Sequence, residues 1–454
     1  MAREDSKGRF IPTHPPRGDG PVPVWRGFVG ERARTAVYGW SERAFTTDYI
    51  RRNVFGHQVH IPLHPDMVQR VMLDNAANYV KPDLVLKLLR PTIGRGLLSS
   101  DGALWREQRR IVAANFVPAA VDSSMPAFAA AAQEQMQGWT PGLRDVAADA
   151  TATTMRIISD TLFASDPRLT TATAIAHISA ALDGVSEARL QVLLGLPIMP
   201  WSRRGLKGRR SQLYLRRTLT QVVKDRLPSG GPDDFLGRLI RELHDRFPPD
   251  EALTLAVDNA ATFYLAGHET TANALTWTLY LLSEQPELQR QASAEARSAL
   301  AAGADNQALP DRLPLLRRIL EETLRLYPSA PRMDRQVVEP DRLGSHDVAP
   351  GDIVSIWPWL LHRHKKLWED PDSFDPDRFT AEAKAGRHRF QYLPFGGGPR
   401  VCVGARFATT EALTILAHWL GRWHFSPSGR EVKVSGMVTL RPAGGLPLQL
   451  TPAD

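Results

Sequence analysis

The chain has 454 residues, of which 43% are hydrophobic and 23% charged, and its formal net charge is +7 at pH 7. This composition excludes disordered and fibrous proteins and predicts a globular fold with a large core. A single cysteine excludes an intramolecular disulfide framework. The basic excess suits an acidic partner. We expect no nucleic-acid binding, because the sequence has no zinc-finger spacing, RNA-binding aromatic motif or basic zipper.

The N-terminus sets the expected domain organisation. Residues 1–23 are rich in Pro and Gly and predict an extended segment, followed by one domain over residues 24–454. The first residues are polar and lack the apolar core of a signal peptide, and no apolar run has the length of a transmembrane segment. We therefore expect a cytoplasmic, monomeric protein without a transmembrane segment.

The remaining chain predicts a mainly α fold with small β-sheets. Short apolar alternation over residues 46–63 indicates a small sheet, and helical patterns dominate from about 65 to 330. Short β-like pieces and proline-rich irregular segments then lead to a hairpin pattern at 432–450. One basic cluster follows the apolar residues 197–201, and it consists of Arg203, Arg204, Lys207, Arg209 and Arg210. We interpret this cluster as a solvated loop, with contact to a membrane surface as the alternative.

Two helical motifs place polar residues four or three positions apart. Trp105 and Arg109 lie one turn apart and can present an indole N–H and a guanidinium to one anionic group, or else form a packed pair. Glu322 and Arg325 lie on one face of a helix that ends at Pro328 and can form an ion pair. A surface ion pair is the default interpretation of such a motif.

A long helical pattern runs from about Glu251 to Glu284 and is apolar nearly all round, which predicts a buried helix. Polar groups in its middle, Glu269 and Thr270, are costly there unless they are paired or wet. Gly267 permits a local widening of the helix, and the Thr270 hydroxyl can bond a carbonyl or face a cavity. We expect a small pocket beside this helix. The alternative is a helix that merely tolerates the threonines.

The most informative stretch is the glycine-rich loop 395–404, which contains the only cysteine and leads into a helical pattern. Its glycines allow positive φ and close approach to a flat ligand. The N-terminus of the following helix would favour a thiolate at Cys402, and a thiolate is the form that binds a metal. A lone cysteine is otherwise most often a small buried hydrophobe.

This loop resembles the heme-binding loop of the cytochrome P450 family. The family pattern F-x-x-G-x-R-x-C-x-G is met at Phe395, Gly398, Arg400, Cys402 and Gly404. The segment 266–271 resembles the family's central-helix motif A-G-x-[D/E]-T-T, and the motifs E-x-x-R and W-x-x-x-R occur in the family's order. The resemblance implies the P450 fold, with heme b (iron protoporphyrin IX) between the long central helix and the cysteine loop.

The resemblance also implies roles for individual residues. Cys402 would be the axial ligand of the heme iron, and Glu269 and Thr270 would deliver protons. Glu322 and Arg325 would form a structural unit with Arg378. The implied heme-binding residues are Trp105, Arg109, Arg335, Phe395, Gly398, Arg400, Cys402 and Gly404. His268 occupies a variable position of the motif and is interpreted as a structural or channel-lining residue.

By this resemblance the expected activity is that of a heme-thiolate monooxygenase, which activates O2 and hydroxylates a hydrophobic small molecule. No flavin or iron–sulfur pattern follows Cys402 before Asp454, so we expect electrons from a separate ferredoxin or flavodoxin with its reductase. The alternatives are a non-catalytic heme-thiolate sensor, or a peroxygenase or isomerase on the same fold. The acid–alcohol pair at 269–270 argues against a peroxygenase or isomerase, since those chemistries dispense with it.

The expected substrate pocket is mostly apolar. The residues that the resemblance assigns to it are Leu265, Ala266, Met333 and Met437. An apolar lining predicts a hydrophobic substrate. Three cations near one recognition segment, Lys81, Lys87 and Arg90, could pair with a substrate carboxylate, but we expect them to face water.

Overall fold

The computed structural model describes residues 3–20, 30, 35–200, 202–227, 234–303 and 308–453. None of the helices within these residues is by itself both long and apolar enough to cross a membrane, although one bent pair, 102–116 with 118–137, meets the criteria together. The α-helices of the described part are α1 Pro65–Gln69, α2 Asp83–Ile93, α3 Gly102–Ala113, α4 Pro118–Asp122, α5 Met125–Gln137, α6 Val146–Leu162, α7 Ala172–Leu193, α8 Arg203–Arg226, α9 Phe235–His244, α10 Pro249–Ser283, α11 Pro286–Ala301, α12 Pro314–Leu326, α13 Pro358–Leu361, α14 Ala381–Ala385 and α15 Ala405–Leu420.

The strands of the described part are short. They are β1 Arg3–Glu4, β2 Phe10–Ile11, β3 Tyr49–Val54, β4 His57–Pro62, β5 Tyr79–Val80, β6 Gly142–Asp145, β7 Met333–Val337, β8 Asp341–Leu343, β9 His346–Val348, β10 Ile353–Ile356, β11 Trp423–Pro427, β12 Val434–Ser435, β13 Arg441–Pro442 and β14 Pro447–Pro452. The prediction of a mainly α fold with small β-sheets is confirmed.

The largest sheet has the order β3-β4-β10-β7-β5. β10 is parallel to β4, with Ile353 opposite Val59, and antiparallel to β7, with Val354 opposite Arg335. The small sheet predicted over 46–63 is therefore the β3–β4 edge of a larger sheet, which is completed by residues nearly 300 positions later. A second sheet has the order β11-β14-β6, and the predicted C-terminal hairpin consists of the two-residue strands β12 and β13.

The central helix α10 spans 35 residues and packs against α6, α8, α9, α12 and α15. Pro249 stands at its first turn, where a missing N–H costs nothing. The predicted widening at Gly267 is wrong, because the helix is continuous through it. A Cβ at Gly267 would lie 2.6 Å from Ile158 Cδ1, so this glycine allows α10 and α6 to approach closely.

The N-terminal residues 3–20 pack onto the rest of the protein. β1 and β2 form a small hairpin, and Phe10 of β2 is 5% exposed. The Phe10 carbonyl accepts from Phe374 N at 2.9 Å, and the Thr13 carbonyl accepts from the Tyr327 hydroxyl at 2.6 Å. The described part of this segment therefore contacts the core. The predicted boundary near Val24 lies outside the described residues.

Helices α7 and α8 pack closely because two glycines face each other. A Cβ at Gly184 would lie 3.0 Å from Gly208 Cα. The basic residues 203–210 form the first two turns of α8, so their interpretation as a loop is wrong. Ser202 caps this helix by accepting from Arg204 N and Gly205 N at 3.1 Å each. Helix propensity of Arg and Lys is high, and the cap supplies the start signal.

Candidate active site

The cysteine loop is fixed by its backbone. Cys402 N donates to the Phe395 carbonyl at 2.9 Å, which closes the loop. Gly396 and Gly398 have φ values of 75° and 64°, in the region that favours glycine. A Cβ at Gly398 would lie 1.7 Å from the Met72 carbonyl oxygen, so no other residue fits there.

Two properties of Cys402 together indicate an internal space beside its thiol. Its residue is solvent-accessible, yet burial in the protein raises the pKa of the thiol, against the lowering effects of the Gly404 amide and of Arg109. Burial thus outweighs the helix N-terminus, which by itself favours a thiolate as expected. A metal ion at the sulfur would favour it, because a bound cation displaces the thiol proton.

The middle of α10 presents a second face to this internal space. Residues 252–283 are otherwise mostly buried, but Ala266 is exposed and Gly267, Glu269 and Thr270 are half-buried. The Thr270 hydroxyl donates to the Ala266 carbonyl at 2.9 Å, and Leu265 is buried. His268 points the other way, is buried, and bonds the Tyr264 carbonyl at 2.9 Å, so it is structural.

Phe116 links this helix to the helix that follows the cysteine. Its ring centroid lies 5.8 Å from that of Phe263 on α10 and 6.0 Å from that of Phe407 on α15. A Cβ at Gly404 would lie 3.6 Å from the Phe116 ring. The aromatic contacts therefore connect α10 with the cysteine end of α15 at the edge of the site.

Glu269 has a partner that the sequence did not indicate. Arg441 of β13 donates from Nη1 to Glu269 Oε1 at 2.9 Å, and the two side chains are 35% and 14% exposed. The C-terminal strand pair thereby contacts the polar part of α10. Met437, in the turn between β12 and β13, is half-buried and accepts from Arg189 Nη1 at 3.7 Å.

Cations gather beside the cysteine loop. Arg400 bonds the Ser100 carbonyl at 2.8 Å and the Asp101 carboxylate, and its guanidinium lies 3.9 Å from the centroid of the Trp105 ring. Burial lowers the pKa of Arg400 to about 10, with Asp101 opposing the shift. Trp105 thus stacks on Arg400 and not on Arg109.

Arg335 and Lys81 belong to the same cation group. Arg335 is 8% exposed, donates to the Asp334 carbonyl at 2.9 Å, and has its pKa lowered by burial. Burial, followed by repulsion from Arg335 and Arg400, lowers the pKa of Lys81 to about 7. Lys81 is half-buried, so the expectation that it faces water holds only in part, whereas Lys87 and Arg90 are exposed.

Arg109 lies on the cysteine side of this group. Burial lowers the pKa of its guanidinium, and the charge of Cys402 opposes that shift. Four cations (Lys81, Arg109, Arg335 and Arg400) therefore surround a site whose nearby carboxylates are Asp101 and Asp334. Half-buried like charges are costly unless an anion joins them. The excess of positive charge fits the two carboxylates of a heme placed against an accessible cysteine sulfur.

The predicted unit of Glu322, Arg325 and Arg378 is buried and not at the surface. Arg325 bonds both carboxylate oxygens of Glu322, at 2.6 and 2.7 Å, and both side chains are 0% exposed. Arg378 Nε lies 3.6 Å from Glu322 Oε1. The structure therefore brings the three residues together beneath the segment that precedes the cysteine loop.

Met333 lies beside the cysteine loop. Its Sδ is 3.4 Å from the Cβ position of Gly396, and it packs against a small cluster that includes Met72 and Phe390. Of the four expected pocket residues, Ala266 is the one whose exposure in an otherwise buried helix marks an internal space.

The chain matches the Cytochrome P450 family model over residues 44–445. It belongs to the cytochrome P450 family. It is 32% identical over 413 residues to cyclooctatin synthase of Streptomyces melanosporofaciens, with 89% of this chain and 88% of that protein covered. It is 31% identical to Cytochrome P450 714C3 of Oryza sativa subsp. japonica, with 86% and 78% covered.

A solved structure confirms the P450 fold. The crystal structure of the cytochrome P450DA heme domain superposes with a TM-score of 0.80 at 23% identity, covering 97% of this chain and 98% of that chain. Family membership supports a heme-thiolate monooxygenase in general terms. The accessible sulfur and the unbalanced cations fit this P450's expected heme.

Gly398→Ala tests the closure of the cysteine loop in this P450. The new Cβ meets the Met72 carbonyl and adds the steric cost of positive φ, which is about 1–2 kcal/mol before the clash. We expect bound heme per protein to fall roughly tenfold or more, as measured by the pyridine hemochrome assay. Gly386→Ala is the matched control, since a Cβ there meets nothing within 4 Å. Equal heme content in both variants would contradict the role of Gly398.

A buried carboxyl on α15 was not foreseen from the sequence. Glu411 is 0% exposed, and neither of its oxygens has a hydrogen-bond partner among the described residues. Burial raises the pKa of Glu411 to about 8, and only the nearby Thr271 hydroxyl opposes the shift. Glu411 is therefore protonated at neutral pH in the folded protein.

Glu411 makes stability depend on pH. The unfolded chain releases this proton near the ordinary pKa, 4.5, whereas the folded protein holds it to about 8, so stability falls as pH rises between these values. The slope is at most about 1.4 kcal/mol per pH unit. In urea titrations, Glu411→Gln should flatten the dependence over this window and stabilise the protein most at its upper end. An unchanged slope in Glu411→Gln would show that another group causes the pH dependence of stability.

Proposed function

We propose that this P450 uses O2 to hydroxylate a hydrophobic small molecule, with electrons from a separate ferredoxin or flavodoxin and its reductase. One observation carries the proposal. The Cys402 sulfur and the Ala266–Thr270 face of α10 are both accessible within an otherwise buried interior, and Phe116 contacts the helices of both. A thiolate on one side suits the iron ligand, and an alcohol with a carboxylate on the other suits proton delivery.

The heme would lie between these two sides. Cys402 would hold its iron, and Arg335, Arg400, Lys81 and Arg109 would neutralise its propionates. When bound, a heme with a thiolate ligand supplies the electron density that favours O–O cleavage. The protein's share is to bind and orient the reactants, to control protons and to exclude water.

Glu269 and Thr270 would deliver the protons that the reaction requires. The Thr270 hydroxyl donates its proton to the Ala266 carbonyl at 2.9 Å, which leaves its oxygen able to accept a hydrogen bond. Glu269 is held as a carboxylate partner of Arg441. Arg441 would thereby position the carboxylate of Glu269 beside Thr270.

Two further features support the proposed redox partner and the proposed substrate class. The net charge of +7 favours electrostatic docking of acidic redox proteins such as ferredoxins and flavodoxins. The α10 face toward the internal space presents Ala266 and Gly267 before the polar pair, so a substrate there would meet mostly carbon. The cytoplasmic location and the monomeric state remain predictions.

The ligand of the iron is tested by the carbon monoxide spectrum of the reduced protein. We expect the red-shifted Soret band of a thiolate complex, because Cys402 is the one cysteine of the chain. Cys402→His should still bind heme but lose that band. Retention of the shifted band in Cys402→His would exclude Cys402 as the ligand and with it the proposed activity.

Thr270→Ala separates a monooxygenase from a heme sensor. With a surrogate ferredoxin and reductase and a substrate identified by its spin-state shift, we expect the fraction of electrons that reach product to fall by roughly tenfold or more, with peroxide released instead. Thr276→Ala is the matched control, because its hydroxyl makes the same bond one turn and a half away, to Ala272 at 2.7 Å, but is buried. Unchanged coupling in Thr270→Ala would favour the sensor or another chemistry.

A further inference from the structure

The connection between α7 and α8 exposes apolar side chains. Leu194, Leu196, Ile198 and Met199 are 47%, 47%, 44% and 63% exposed, within six consecutive residues. The segment 194–199 contains no charged residue. Contiguous exposed apolar surface of this kind marks an interaction site, whereas single exposed apolar residues are normal.

The loop is built to hold this conformation. Gln191, which is 2% exposed, donates from Nε2 to the Met199 carbonyl and accepts from Met199 N, both at 2.7 Å. Leu196 N donates to the Gln191 carbonyl at 2.8 Å, and Gly195 takes φ 68° just after α7 ends. The buried Gln191 side chain thus links the start of the loop to its end, and the apolar side chains of the loop are left exposed.

Cations follow directly on the apolar loop. Arg203, Arg204, Lys207, Arg209 and Arg210 in the first two turns of α8 are all exposed. Further along, the outward face of α8 carries Leu206 and Leu213, 41% and 51% exposed, at 3–4 residue spacing with Arg203, Arg210 and Arg217. Gly208, Ser211 and Leu215 face inward and are buried, so the outer stripe is a true helix face.

These cations differ from most others on the protein. None of the ion pairs formed among the described residues involves Arg203, Arg204, Lys207, Arg209 or Arg210. By contrast, Arg318 and Arg342 pair with Asp377 and Asp347 at 2.6 and 2.9 Å. A patch of cations outside these ion pairs has a positive potential and attracts an extended anionic surface.

We propose that the loop 194–199 and the exposed outer face of α8, together called the loop–α8 surface, bind peripherally to an anionic lipid bilayer. Apolar side chains at the tip would enter the boundary between headgroups and acyl chains, while the adjacent cations contact lipid phosphates. An acidic protein would explain the cations but not the uncharged apolar tip. A lipid bilayer explains both, because its phosphates bind cations and its acyl chains accept apolar side chains. This inference goes beyond the proposed function and does not depend on it.

The test is co-sedimentation of the full-length holoprotein with vesicles of phosphatidylcholine, alone or with phosphatidylglycerol, at low and physiological salt. We expect binding that requires phosphatidylglycerol and weakens with salt. The triple variant Arg203→Gln, Arg204→Gln, Lys207→Gln should bind on the order of a hundredfold more weakly, at about fivefold per cation. The triple variant Leu196→Ser, Ile198→Ser, Met199→Ser should bind roughly tenfold more weakly.

A matched control removes three exposed cations elsewhere, with Arg290→Gln, Arg297→Gln and Arg342→Gln, and should bind as the unchanged protein does. Several results would overturn the proposal: no preference for phosphatidylglycerol, unchanged binding by both loop–α8 variants, or full binding by the serine variant. Concentration-dependent dimers in analytical ultracentrifugation that the serine variant abolishes would also overturn it, because a second copy would then cover the loop. None of these outcomes changes the carbon monoxide spectrum, so failure of the membrane proposal does not affect the proposed function.

Discussion

The structure depends on one fully buried ion pair. Arg325 has five N–H donors, and each finds an acceptor: both oxygens of Glu322 and the carbonyls of His362, Pro371 and Ser373, at 2.6–2.9 Å. Burying two charges is costly, and only such complete satisfaction offsets the cost. Removing either partner would leave a buried charge, at about 3–5 kcal/mol. The pair therefore fixes α12 to the irregular chain near residue 372.

This constraint reaches the cysteine through a histidine. Burial, and then the charge of Arg325, lowers the pKa of His362 to about 3, so the ring is neutral. A neutral ring can donate from Nδ1 to the Arg325 carbonyl and accept at Nε2 from Leu393 N, at 3.3 and 2.8 Å. Leu393 stands two residues before Phe395, whose carbonyl holds Cys402 N. The position of the sulfur thus follows from the satisfied guanidinium.

The sequence predicted the parts whose signals are local. The ends of α10 lie within two residues of the expected ones, because a long pattern that is apolar nearly all round predicts a buried helix. The cysteine loop was indicated by its glycines, two of which adopt positive φ. Partners supplied by distant chain could not be predicted. Arg441 reaches Glu269 across 172 positions, and Lys81 joins Arg335 only because β5 pairs with β7. Local pattern also misjudged residues 203–210, since a cationic helix and a cationic loop have similar composition.

The close approach of α6 and α10 has a consequence for how the sequence can vary. Because a Cβ at Gly267 would fall 2.6 Å from Ile158 Cδ1, the two positions share one volume. A methyl group gained at 267 must be matched by one lost at 158, so related chains with Ala at the first position should favour Val at the second. Two residues 109 positions apart are thus expected to vary together, because their side chains compete for the same volume.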